Sequence, residues 1–198
     1  LACALSGQGL RIAIVESRQS EDRGEAGYDE RSIALAWGTR CIFDGLGLWE
    51  ALAGTATPIH SIHVSERGRA GMVHMDREAE GLPAIGYVIP AHELGAVLDA
   101  AVARAGDVDV LCPAVLAGVS HTEGAVDVTV QQDGGDIDLQ ATLLVAADGA
   151  GSFLREQAGI DTTVTDYEQT AIVTNVTPQL PHHNIAYERF TPDGPIAL

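Results

Sequence analysis

Basic residues are scarce. The 198-residue chain carries 11 Lys and Arg against 28 Asp and Glu, a formal charge of −17 with His neutral. That balance excludes nucleic-acid binding by general attraction, because phosphate contacts need clustered cations. It also opposes adsorption to anionic lipid heads, and suits a solvated, soluble surface. Cysteine is scarce as well: Cys3, Cys41 and Cys112 lie far apart and form no C-x-x-C pair. An odd, scattered set argues against a disulfide framework or a zinc site and fits a reducing cytosol. No apolar run approaches the roughly 20 residues of a membrane helix, and no basic segment precedes an apolar stretch at the start, so neither a transmembrane segment nor a signal peptide is expected. Gly-x-Ser-x-Gly and Walker turns are missing, which disfavours a hydrolase or a P-loop NTPase. No internal repeat or low-complexity tract occurs.

What is present is a chain with 46% hydrophobic residues, enough for one large domain or two small ones. Residues 1–6 read as a helix already under way, with no capping residue before it, and 195–198 end in an apolar run without an initiating Met at the other terminus, so a fragment incomplete at both ends is expected. Residues 11–16 (RIAIVE) are a short buried strand, 18–29 a polar loop, and 32–46 a helical stretch closed by Gly45 and Gly47. Residues 58–64 and 70–76 read as a hairpin, 87–89 as a strand, and 90–104 as a helix with Leu94, Val97, Leu98 and Ala101 at helical spacing. Strands are predicted over 108–119, 125–131, 138–147, 172–176 and 185–190, with a short helix over 152–159. The order is that of an α/β nucleotide-binding pattern interrupted by a second region.

Two features carry chemistry. Glu16 follows a buried strand, the position from which a carboxylate accepts hydrogen bonds from ribose hydroxyls in a dinucleotide-binding unit. The same residue type also ends strands as a plain solvated carboxylate. Its usual companion, a G-x-G-x-x-G turn that holds pyrophosphate on backbone amides, does not occur in these residues. The second feature is 141–155 (ATLLVAADGAGSFLR), an apolar strand delivering Asp148-Gly149, then Ser152 and Arg155. Asp148 offers a carboxylate and Gly149 lets the backbone come close. Ser152 can cap the next helix, and Arg155 can pair with Asp148 or a phosphate.

This second stretch resembles the Asp-Gly signature of the class A flavoprotein monooxygenases, the group related to p-hydroxybenzoate hydroxylase. Residues 28–48 (YDERSIALAWGTRCIFDGLGL), 167–176 (YEQTAIVTNV) and 187–198 (YERFTPDGPIAL) are similar to the ubiquinone-biosynthesis hydroxylase branch, in order along the chain. The resemblance implies an α/β fold: a Rossmann-like FAD-binding domain with an inserted β-rich substrate domain. It implies FAD-binding parts at 1–57 and 91–165, and substrate-domain parts at 58–90 and 166–198. By the same resemblance Arg31 approaches the flavin, the backbone near Val115 touches adenine, and Glu16, Asp148, Gly149 and Arg155 complete the cofactor contacts. His92 and Glu93 stand where relatives often place a flavin-contacting Arg or Gln, and here the residues depart from that pattern.

The activity implied is hydroxylation of a polyprenylated phenol in ubiquinone biosynthesis, with NADH or NADPH and oxygen. No side chain acts as nucleophile in such an enzyme, so no catalytic residue is expected here. The implied setting is cytoplasmic, peripheral to the inner membrane and associated with a quinone-biosynthesis complex. Two alternatives stand beside it: a flavin-free scaffold remnant in such a complex, or a flavoprotein halogenase or geranylgeranyl reductase. With the Gly-rich turn and the family's third flavin motif missing, the fragment is expected to be inactive, to lose FAD and to self-associate through unpaired strand edges. His60/His63 and His182/His183 lack carboxylates at useful spacing, so no metal site is expected.

Overall fold

The structure, a computed structural model, describes residues 1–17 and 31–198. The loop predicted over 18–29 lies outside the described residues. Helix α1 (Ala2–Leu5) leads into strand β1 (Ile12–Val15), which pairs in parallel with β7 (Val108–Leu111), Ile12 opposite Val108. Asp107, just before β7, accepts Ser6 Oγ at 2.6 Å and the Gly7 amide at 2.7 Å, tying the end of α1 to the start of that strand pair.

A second sheet has the order β2 (Ser32–Ala36), β6 (Gly86–Pro90), β3 (Thr57–Ile59), all antiparallel. Helices α2 (Trp37–Gly45), α3 (Trp49–Leu52) and α4 (Ala91–Arg104) pack on it. Leu35, Leu52 and Ile89 form the buried core, joined by Phe43, Trp49, Leu94 and Val97. Leu52 and Ile89 are fully buried, each worth about 1.5–3 kcal/mol against exposure. In α4, Leu94 and Val97 are three apart and so share the face that meets this core. Glu93 in its first turn and Arg104 in its last complement the helix dipole. Gly86 is required by close approach: a Cβ there would collide with the Leu35 carbonyl oxygen.

Strands β8 (Val115–Thr122), β9 (Ala125–Gln132) and β10 (Gly135–Ala141) form an antiparallel meander. The two-residue period of β9 puts Val126, Val128 and Val130 on one face, where they pack with Ala114, Leu116 and Leu139. On the other face Gln140 donates to Asp127 at 2.8 Å and Thr129 to Asp138 at 2.9 Å, each between directly opposed residues. The fourth sheet has the order β12 (Gly194–Ala197), β11 (Ile185–Thr191), β4 (Ser61–Glu66), β5 (Met72–Asp76). Here β4 and β5 form the hairpin read from the sequence, and β11 lies parallel to β4.

Four expectations are corrected. Residues 32–36 are strand rather than the first turns of a helix. Their Ile33–Trp37 spacing suits a helix, but pairing with β6 decides the matter, and only Leu35 of the five is buried. The strand predicted over 108–119 is two strands, because Pro113 has no N–H to give a ladder. The strand predicted to run through 147 ends at Ala141, and none forms over 172–176. The first run is apolar and the second is rich in β-branched residues, yet among the described residues neither has a partner strand, and a ladder needs two. Most of their side chains stand in solvent, Leu143 at 77% and Ile172 at 89% exposure, while Leu144 is half-buried.

Candidate functional site

Three groups of sequence-selected residues occupy three places. At the carboxyl end of β1, the Glu16 amide donates to the Leu111 carbonyl at 3.0 Å, and its carbonyl accepts the Ala114 amide at 2.8 Å. The β1–β7 ladder therefore runs one step beyond the strands and seats half-buried Glu16 beside Ala114, the neighbour of Val115. Val115 is 54% exposed, so its surroundings leave room for a flat ligand. A carboxylate at a strand end next to an open, weakly polar wall can take up ribose hydroxyls and an adenine ring.

The second place is the turn after residue 147. Ser152 donates to Asp148 Oδ1 at 2.5 Å, and the Leu154 amide donates to Oδ2 at 3.2 Å. Ser152 Oγ in turn accepts the Arg155 amide at 3.0 Å and caps helix α5 (Phe153–Gln157), as the sequence predicts. Ser152 is buried to all but 5%, whereas Asp148 and Gly149 are exposed. The hydroxyl donor, and after it the Leu154 amide, hold the Asp148 carboxyl below its ordinary value. Gly149 has φ +83°, and a Cβ built there would meet nothing within 4 Å, so the turn presents open backbone to a ligand. Arg155 donates to the Ala150 carbonyl at 2.8 Å, closing the turn by that bond in place of the ion pair with Asp148 that its spacing suggests.

Leu144, four residues before Asp148, packs on the cluster that contains Ala114, so the Asp148 run and the Glu16–Val115 region share one core. Arg31 lies on the other sheet: its carbonyl accepts the Ala91 amide at 2.8 Å, which sets it beside the first turn of α4. There His92 Nε2 lies 3.5 Å from Glu93 Oε1. Among the described residues no group of three His, Cys, Asp or Glu gathers to hold a metal ion. Among the described residues no helix is long and apolar enough to cross a membrane.

Sequence reasoning missed the Ser6–Asp107 clamp and the bond between Ser152 and Asp148, although Asp and Ser four apart around a glycine turn were a legible hint. It also missed the packing of Arg40 over Trp37 and Trp49, which no local pattern announces.

A strand-end carboxylate sharing a core with an open Asp-Gly turn fits the adenosine and flavin ends of a dinucleotide. Residues 1–194 match the FAD binding domain family, and the chain belongs to it. Its fold is the mixed α/β fold of that domain in p-hydroxybenzoate hydroxylase-type flavoproteins, and FAD is the cofactor the family binds.

Among individual proteins it is similar to ubiquinone hydroxylase UbiL of Rhodospirillum rubrum, 33% identical over 198 residues, all of this chain and 45% of that one. To ubiquinone hydroxylase UbiM of Neisseria meningitidis it is 30% identical over 202 residues, all of this chain and 43% of that one. To the 3-demethoxyubiquinol 3-hydroxylase of Escherichia coli it is 26% identical, covering 50% of that protein. The chain thus spans about half the length of the curated relatives it matches. Solved structures share its fold. They include p-nitrophenol 4-monooxygenase PnpA of Pseudomonas putida DLL-E4 (TM-score 0.66, 18% identity, 80% of this chain and 40% of that one). Another is OxyS anhydrotetracycline hydroxylase of Streptomyces rimosus (TM-score 0.67, 21% identity, 83% of this chain and 32% of that one).

Proposed function

We propose that this chain contributes the flavin-holding part of an aromatic-ring monooxygenase that hydroxylates a polyprenylated phenol in quinone synthesis, using NADH or NADPH and oxygen. The observation that carries the reading is the Asp148 turn: a carboxylate fixed by Ser152 beside an open glycine, in a chain of the FAD binding domain family. Relatives named as ubiquinone hydroxylases support the substrate class. In this reading Glu16 takes the ribose hydroxyls and the backbone at Val115 lies along the adenine. Arg31 approaches the flavin from the start of α4. Asp148 and Gly149 hold the cofactor's flavin side, and Arg155 keeps the turn closed or meets a phosphate.

When bound, FAD supplies the electron transfer and oxygen activation. The protein's residues bind it, orient the phenol and keep water away. Substrate binding is assigned to 58–90 and 166–198; within them 61–76 and 185–197 supply the β4–β5–β11–β12 sheet, while β3 and β6 pair with β2. A quinone-synthesis complex at the inner-membrane surface is the proposed setting, and self-association through open strand edges is proposed for the chain alone. The test is phenol-dependent NADH oxidation by a protein of the relatives' length containing these residues, with the product analysed by mass. One oxygen atom gained by a prenylated phenol supports the reading. Halide transfer to the ring, or no ring chemistry in a flavin-loaded protein, contradicts it.

A further inference from the structure

The β4–β5 hairpin carries a pairing of side chains with no part in the flavin site. His63 on β4 is the direct partner of His74 on the antiparallel strand β5, so both side chains project from one face of the sheet. Their ring centres are 6.5 Å apart with planes inclined at 57°. Tyr187, the partner of His63 on β11, flanks it on the other side at 5.7 Å. His74 is exposed and His63 half-buried, so the pair opens to solvent on one side and is braced on the other.

We infer that His63 and His74 form a chelating site for a borderline divalent transition-metal ion, of the Ni²⁺, Cu²⁺ or Zn²⁺ class. Two imidazole nitrogens bonded to one such ion at about 2.0–2.1 Å, with an angle of about 90–110° at the metal, place their ring centres roughly 4.5–5.3 Å apart, so the exposed His74 ring swings inward by about 1–2 Å from its 6.5 Å separation to close the chelate. Imidazole donors favour these ions over hard ones such as Mg²⁺, which prefer oxygen. The chain's charge of −17 raises the local concentration of any cation. No third His, Cys, Asp or Glu among the described residues completes the set, so water fills the remaining positions. The site is therefore a reversible clamp across the hairpin, and its occupancy stabilises the folded β4–β5 pair by mass action. From sequence alone the two residues, eleven apart, gave no sign of pairing; the hairpin register brings them together.

Untagged protein titrated with Ni²⁺ by calorimetry tests this, with melting followed in parallel. One equivalent is expected to bind and to raise the melting temperature. His63→Ala and His74→Ala are each expected to lower the affinity at least tenfold and to abolish the rise. His121→Ala and Cys41→Ser leave both unchanged, and Mg²⁺ gives neither effect. His74 is exposed, so its variant keeps the fold, and His63→Gln serves as a second variant at the half-buried position. Wild-type affinity in either the His63 or the His74 variants, or equal binding of Mg²⁺, overturns the site.

Discussion

Ser152 donates its hydroxyl to Asp148 Oδ1 at 2.5 Å while accepting the Arg155 amide at 3.0 Å, so one buried side chain both caps α5 and fixes the carboxylate of the Asp-Gly turn. Ser152→Ala removes both bonds. A lost Ser cap costs about 1 kcal/mol, within a range of 0.5–2. Urea denaturation is expected to show a loss of that size, and a gain or no change would contradict the capping role.

The same bond sets a pH dependence. The Asp148 carboxyl is depressed below its ordinary value of 3.8, first by Ser152 and then by the Leu154 amide. A depressed carboxyl stabilises the fold above its unfolded value, and that contribution is lost as pH falls through the folded value. The turn therefore holds at neutral pH and loosens only in strong acid. A carbon-detected NMR titration is expected to place the Asp148 midpoint below 3.8 and to move it upward in Ser152→Ala.

Arg40 sits between the only two tryptophans, its guanidinium carbon 5.1 Å from the Trp37 ring and 5.3 Å from that of Trp49. Its Nε is buried without a hydrogen-bond partner, so the aromatic faces take the place of water. Tyr87 meets Trp49 edge-on at 4.7 Å and links the cluster to β6. Arg40→Ala is expected to cost about 1–2 kcal/mol through lost cation–π contact and stem packing. It is also expected to shift tryptophan emission to the red. Unchanged emission would contradict the arrangement.

Two substitutions test the β2–β6–β3 core. Leu52→Ala empties a fully buried site, and such truncations cost about 2–5 kcal/mol. Gly86→Ala forces a Cβ against the Leu35 carbonyl and must pry β2 from β6. It is expected to destabilise by more than about 1 kcal/mol, which exceeds the gain Ala usually brings over Gly. Wild-type denaturation midpoints for either variant would contradict the packing described.

Strands with local alternation or clear turn punctuation were legible in the sequence: β1, the β4–β5 hairpin, β9 and β11 fall where the pattern puts them. So did α4, whose apolar spacing matches the face it buries. The Ser152 cap was legible because its bond to the Arg155 amide spans three residues, whereas the Ser152–Asp148 bond went unread although it is equally local. What failed was non-local. Residues 32–36 look helical until β6 is known to lie beside them, and 143–147 and 172–176 look like strands until no partner is found among the described residues. The seating of Glu16 beside Ala114 depends on a parallel register between segments nearly a hundred residues apart, which composition cannot specify.

The most direct measurement is flavin content and NADH-driven oxygen uptake for two proteins: this chain, and a protein of the relatives' length with these residues in place. The longer protein is expected to hold FAD and oxidise NADH, and to lose at least tenfold in FAD affinity with Asp148→Ala or Glu16→Ala. The 198-residue chain alone is expected to retain little FAD. A longer protein that holds no flavin, or one whose flavin affinity ignores both substitutions, would contradict the account.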